Sequence, residues 1–186
     1  MKEFLIKIYD LILPLILKFN RRVKSNKSDG NIGIISLHKL GDSVFTIPAI
    51  KNIIKHHKNK NVLLICFREN LDIYKLALTN IQYQLLDRSN FYFGGRIGGL
   101  HARRIIKMAN AERIYDITGC ITSASLLFNC RANEVVGINE FRYKPLYDVY
   151  SGISNGPHMT DIYLNAIKPV IKILPDLNNG IAPPTS

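Results

Sequence analysis

The sequence predicts an α/β fold: a Rossmann-like parallel sheet with helices on both faces. Three observations predict it. Short apolar runs alternate with stretches of helical spacing along residues 31–173. The runs are continuously apolar rather than alternating, as in strands buried on both faces. Such strand–helix–strand units close with right-handed crossovers, which stack helices on both sides of one sheet.

The first element lies before the sheet. Residues 4–19 read FLIKIYDLILPLILKF, and Lys18, Arg21, Arg22, Lys24 and Lys27 follow closely. The run is shorter than the roughly 20 residues a membrane helix needs, and Lys7, Asp10 and Pro14 interrupt it. Basic residues after the apolar block, with no small-residue cleavage site, argue against a secretory signal. Two readings stand for residues 1–28: a helix lying in an anionic membrane surface, or a helix packed on the protein's own core. Ser25 to Gly30 (SNKSDG) reads as a linker, so residues 1–30 are set apart from the domain.

The domain proper opens with IGIISL (32–37), a buried strand. Residues 44–57 follow with Val44, Ile47, Ile50, Ile53 and Ile54 on one helical face, Thr46 as cap and Pro48 in the first turn. VLLICF (62–67) is the second strand, 70–78 a short helix, 83–86 a weaker third strand. Residues 100–109 are helical, 113–117 (RIYDI) a fourth strand, 123–130 a helix and 134–137 (EVVG) a fifth strand. Residues 138–157, rich in Tyr, Gly, Ser and Pro, read as irregular, 161–173 as the last helix, and 174–186 as a disordered tail.

Composition narrows the partners. The chain has 186 residues, is 47% hydrophobic and carries a net charge of +11, so it folds around a core and favours anionic ligands. No helix-turn-helix or RNP-type pattern accompanies the charge, so no nucleic-acid partner is expected. Cys66, Cys120 and Cys130 are odd in number and lack CxxC spacing, which argues against a disulfide framework and a zinc site. The five histidines lack ligand spacing, and no metal or cofactor is expected.

Ligands of open parallel sheets sit beyond the carboxyl ends of the strands, which directs attention to 38–43, 87–99 and 118–123. The first strand ends in His38-Lys39-Leu40-Gly41-Asp42-Ser43. This is neither G-x-x-x-x-G-K-S/T nor G-x-G-x-x-G. Gly41 permits a tight turn, and Asp42 follows near a helix start, where the dipole favours its ionised form. An ionised carboxylate there can take a proton from an attacking hydroxyl; equally, Asp42 or Ser43 can serve as a helix cap. Arg96, inside GGRIGG (94–99), offers an anion contact in a mobile loop or marks a plain flexible connection.

The segment IISLHKLGDSVFTIPAIK (34–51) resembles the opening of glycosyltransferase family 9, the ADP-heptose:lipopolysaccharide heptosyltransferases, with its apolar strand, L-G-D and P-A-I/L. RIYDITGCITSA resembles the family's second region through Asp116, Gly119, Ser123 and Ala124, although Thr118 stands where the family has Gln. EVVGINEFR and His158-Met-Thr-Asp161-Ile-Tyr-Leu resemble two later landmarks in the same order. The resemblance implies the acceptor-side half of a two-domain GT-B enzyme that transfers a sugar with inversion. It implies Asp42 as general base and, around it, an acceptor site drawing on His38, Lys39, Gly41, Ser43, Arg96, Thr118 and Ser123. It also implies a nucleotide-sugar donor such as ADP-heptose, bound mainly by a second domain that this sequence lacks. A truncated product or a half that needs a partner is therefore expected, inactive alone. The implied acceptor is a lipopolysaccharide-core glycolipid, and the implied location is the cytoplasmic face of the membrane.

Overall fold

In the computed structural model, residues 30–93, 96–108, 110–127, 130–153 and 158–173 are described. The expectations for residues 1–29, for Gly94 and Gly95 and for the tail 174–186 lie outside them.

Six strands form one all-parallel sheet: β1 (Ile32–Ser36), β2 (Val62–Phe67), β3 (Gln82–Leu86), β6 (Ala111–Asp116), β7 (Ala132–Asn139) and β8 (Val149–Gly152), in the order β3-β2-β1-β6-β7-β8. Between β3 and β6 a small antiparallel hairpin intervenes, β4 (Phe91–Tyr92) with β5 (Ile97–Gly98). The helices are α1 (Leu40–His56), α2 (Leu71–Ala77), α3 (Leu100–Met108), α4 (Ile121–Leu127) and α5 (Met159–Asn165).

The core has two layers, one on each face of the sheet. Ile32, Ile34, Leu64, Tyr115 and Val136 pack against Ile47, Ile50 and Ile53 of α1, Tyr74 of α2 and Tyr163 and Leu164 of α5. On the other face Ile35, Ile65, Ile114 and Val135 pack against Ala102 and Ile106 of α3, Leu126 of α4 and Tyr143. Each fully buried aliphatic side chain contributes about 1.5–3 kcal/mol, which is why β1 and β2 are apolar at nearly every position.

Several boundaries differ from the sequence reading. Helix α1 starts at Leu40, not after a Thr46 cap, so Pro48 sits in the helix interior. Proline there removes one amide of the ladder, but Ile47, Ile50 and Ile53 are fully buried, and that packing holds the helix together. Residues 138–157 are not irregular throughout. Phe141–Leu146 forms a 3-10 turn, and β8 is a sixth parallel strand paired to β7 from Val136↔Val149 to Asn139↔Gly152. GGRIGG (94–99), read as a mobile loop or a plain flexible connection, contains strand β5 of the hairpin. Helix α5 ends at Asn165 and gives way to turns, where a continuous helix to 173 was expected. Cys66 is buried, and burial pushes its thiol up to about 12.

Candidate active site at the switch point of the sheet

Chain order reverses between β1 and β6. The chain leaves β1 for α1 on one face of the sheet and leaves β6 for α4 on the other, and it is at such a switch point that open α/β sheets carry their ligand crevice. Residues 37–43 and 117–123 stand there.

Hydrogen bonds sew its two lips together. The Ile117 amide donates to the Ile35 carbonyl at 3.1 Å. The Thr118 hydroxyl donates to the Ile35 carbonyl at 3.2 Å and accepts from the Leu37 amide at 3.0 Å. His38 Nε2–H donates to the Ile117 carbonyl at 3.0 Å, which leaves Nδ1 as the lone pair facing the Tyr163 hydroxyl of α5 at 3.5 Å. The two rings meet edge-on with centroids 4.9 Å apart. Burial pushes the His38 ring down to about 4, so it is neutral at ordinary pH. Asn70, in the 3-10 turn Arg68–Asn70 that follows β2, donates from Nδ2 to the His38 carbonyl at 2.9 Å and so fixes the point where α1 begins.

Asp42 sits in the first turn of α1 and is half-buried. Its charge acts on both the His38 ring and the Tyr163 phenol. The helix is capped at Lys39, so neither Asp42 nor Ser43 is its cap. Gly41 lies inside the helix, outside the left-handed region, so it makes no tight turn; a Cβ added there meets nothing within 4 Å. The tight turn at this end of the sheet belongs to Gly119, at φ +75°.

Behind the β6 lip lies a buried polar cluster. Asp116 accepts from the Tyr147 hydroxyl at 2.6 Å and from the Thr118 amide at 2.9 Å. Asn139 Nδ2 donates to Tyr147 at 2.8 Å and to the Cys120 carbonyl at 3.3 Å. Burial raises Asp116 to about 6, against the pull of these donors. Tyr147 is raised well above the usual phenol range by burial and by the Asp116 charge, so it stays a donor.

The structure divides the predicted site residues into three groups. Lys39 and Gly41 are exposed beside Asp42. His38, Ser43, Thr118 and Ser123 are buried, and their polar atoms are engaged within the protein: Ser43 donates to the Lys39 carbonyl at 3.1 Å and Ser123 to the Cys120 carbonyl at 3.1 Å. Ser43, Thr118 and Ser123 thus make internal bonds that shape the two lips. Arg96 is exposed, but on the β4–β5 hairpin rather than on either lip. Among the described residues no group of three His, Cys, Asp or Glu could hold a metal, and no helix is long and apolar enough to cross a membrane. Sequence reasoning missed Tyr163, Tyr147, Asn139 and Asn70.

No family model matches the sequence, and no curated protein matches it. Solved structures do match in fold. A glycosyltransferase family 9 protein from Veillonella parvula superposes with a TM-score of 0.66 at 17% identity, over 85% of this chain and 46% of that one. The E. coli heptosyltransferase WaaC with ADP gives 0.56 at 13% identity, over 75% and 46%. The same enzyme with ADP-2-deoxy-2-fluoro heptose gives 0.56 at 14% identity, over 75% and 48%. The chain therefore has the Rossmann-like α/β fold of glycosyltransferase family 9 structures and spans about half the length of each.

Proposed function

We propose that this chain is the acceptor-side half of an inverting, heptosyltransferase-like glycosyltransferase. It would move a sugar from a nucleotide-sugar donor to a lipopolysaccharide-core glycolipid at the cytoplasmic face of the membrane. The observation that carries this reading is the half-buried Asp42 carboxylate, held at the switch point of the sheet in the first turn of α1.

The chemistry follows from that position. The acceptor hydroxyl enters the crevice and gives its proton to Asp42 as its oxygen attacks the anomeric carbon. The bond to the diphosphate breaks on the opposite side of the ring, the diphosphate leaves with the electron pair, and the configuration inverts. His38 stays neutral, so it sets no positive charge against the Asp42 carboxylate. Lys39 and the open space over Gly41 suit an anionic acceptor. Charge on the leaving diphosphate is the task of the donor-binding half, through helix N-termini and basic side chains.

The test joins this chain to a donor-binding domain and measures sugar transfer from ADP-heptose to a lipopolysaccharide-core acceptor. Asp42→Asn lowers turnover by about 10²- to 10⁴-fold, with acceptor affinity for the chain unchanged. Undiminished turnover removes Asp42 as the base. A second reading, a non-catalytic module that binds an anionic glycolipid or a partner chain, draws support from the exposed Lys39 and the open space over Gly41. Acceptor binding without turnover in any pairing favours it.

A further inference from the structure

Between Asp87 and Glu112 the sequence has no acidic residue, yet it carries Arg88, Arg96, Arg103, Arg104 and Lys107, with His101 among them. The fold turns this segment into hairpin β4–β5 and helix α3. Its inner side is fixed: Phe91, Ile97, Ala102 and Ile106 are buried. The Gly98 amide donates to Ser125 of α4 at 2.8 Å, and Arg103 Nε donates back to the Gly98 carbonyl at 2.8 Å.

The outer side is apolar where a loop would ordinarily be polar. Leu100 is 79% exposed, Tyr92 53% and Phe93 37%. The Tyr92 ring lies over Gly99, close enough that an added Cβ would meet it at 3.3 Å, so Tyr92 adjoins Leu100. Phe93 holds φ +54°, a left-handed conformation that Gly or Asn adopts with less strain; the turn itself gives no reason for an aromatic residue there. Arg96, His101 and Arg104 are exposed on the same two elements. The carboxylates that flank the segment already have cationic partners outside it, Asp87 with Arg68 and Glu112 with Lys60, and Glu69 pairs with Arg88. The other highly exposed apolar side chains differ in this respect. Leu76 stands one helical turn from Asp72, and Phe141 stands next to the Glu140–Arg142 ion pair.

Aromatic and leucine side chains beside exposed arginines complement a bilayer surface, apolar below and anionic at the phosphates. We propose that hairpin β4–β5 and the first turns of α3 dock on an anionic lipid bilayer. Tyr92, Phe93 and Leu100 enter the interface, and Arg96 and Arg104 reach the lipid phosphates. The proposal rests on this surface alone and stands whether or not the chain transfers a sugar.

The test is co-sedimentation of the full chain with vesicles of phosphatidylcholine, alone or mixed with phosphatidylglycerol. The wild type partitions onto the mixed vesicles and is released as salt rises. Arg96→Gln and Arg104→Gln each lower the partition coefficient by about fivefold. The triple variant Tyr92→Ser, Phe93→Asn, Leu100→Ser lowers it further and leaves the thermal unfolding midpoint near that of the wild type. Wild-type binding by all variants means that residues 1–29 carry the whole affinity, and it overturns the proposal. So does a self-association in sedimentation velocity that the triple variant abolishes while vesicle binding persists.

Discussion

Asp116 and His38 titrate in opposite directions across the same seam. The native Asp116 carboxyl holds its proton up to about 6, against 3.8 for an ordinary carboxyl. The folded state therefore binds that proton more tightly, and the stability gained is lost as pH rises from about 4 to 6, on the order of 3 kcal/mol at full effect. His38 behaves oppositely. Its native value is about 4 against 6.5, so its contribution is present above pH 6.5 and is lost as pH falls towards 4. His57, lowered to about 4 by burial and neighbouring cations, has the same sign as His38. The expected outcome is a urea midpoint that climbs more steeply between pH 4 and 6.5 in Asp116→Asn than in the wild type, and less steeply in His38→Gln. Parallel curves for all three would refute this assignment. Asp42 was legible in the sequence because L-G-D is a local pattern. Tyr163 and Tyr147 were not, because they meet His38 and Asp116 across 125 and 31 positions of chain, and only the closed sheet brings them there.

At the scale of elements, legibility followed burial. Strands β1 and β2 lie inside the sheet with nearly every residue buried, so each reads as an unbroken apolar run. Strand β8 lies at the edge, with Val149, Tyr150 and Ser151 half-buried and Gly152 exposed, and no period marks it. The first turn of α1 was hidden because Leu40 and Phe45 face solvent and Gly41 and Pro48 are poor helix formers. Two glycines mark where elements approach most closely. A Cβ on Gly137 would stand 2.2 Å from the Asp116 carbonyl oxygen, and one on Gly98 would stand 2.2 Å from Leu126 Cδ2. Backbone in the middle of a sheet cannot give way, whereas a leucine tip can. Gly137→Ala is expected to destabilise the protein by about 3 kcal/mol and Gly98→Ala by about 1 kcal/mol, as read from urea unfolding. Equal losses would show that α4 holds Leu126 as rigidly as the sheet holds Asp116.

For the whole molecule, the predicted α/β architecture and the observed one agree because helices cover both faces of a parallel sheet, a pattern that hydrophobic runs encode directly. Strand order is not encoded that way, since any pair of apolar strands satisfies the same run. The order β3-β2-β1-β6-β7-β8 puts β1 between β2 and β6, with Ile32 opposite both Val62 and Arg113. Contacts so distant along the chain slow the search for the native state, and refolding in stopped-flow is expected on the millisecond-to-second scale. A microsecond phase that carries the full amplitude would contradict this. The same order has a meaning at the ribosome. β1, β2 and β3 emerge first and can pair, but the other flank of β1 stays bare until residue 111 is made. For about eighty codons of translation the nascent polypeptide presents the central strand of its future sheet as an open edge. That interval is when a chaperone would be needed most, and β6 is the strand whose arrival ends it.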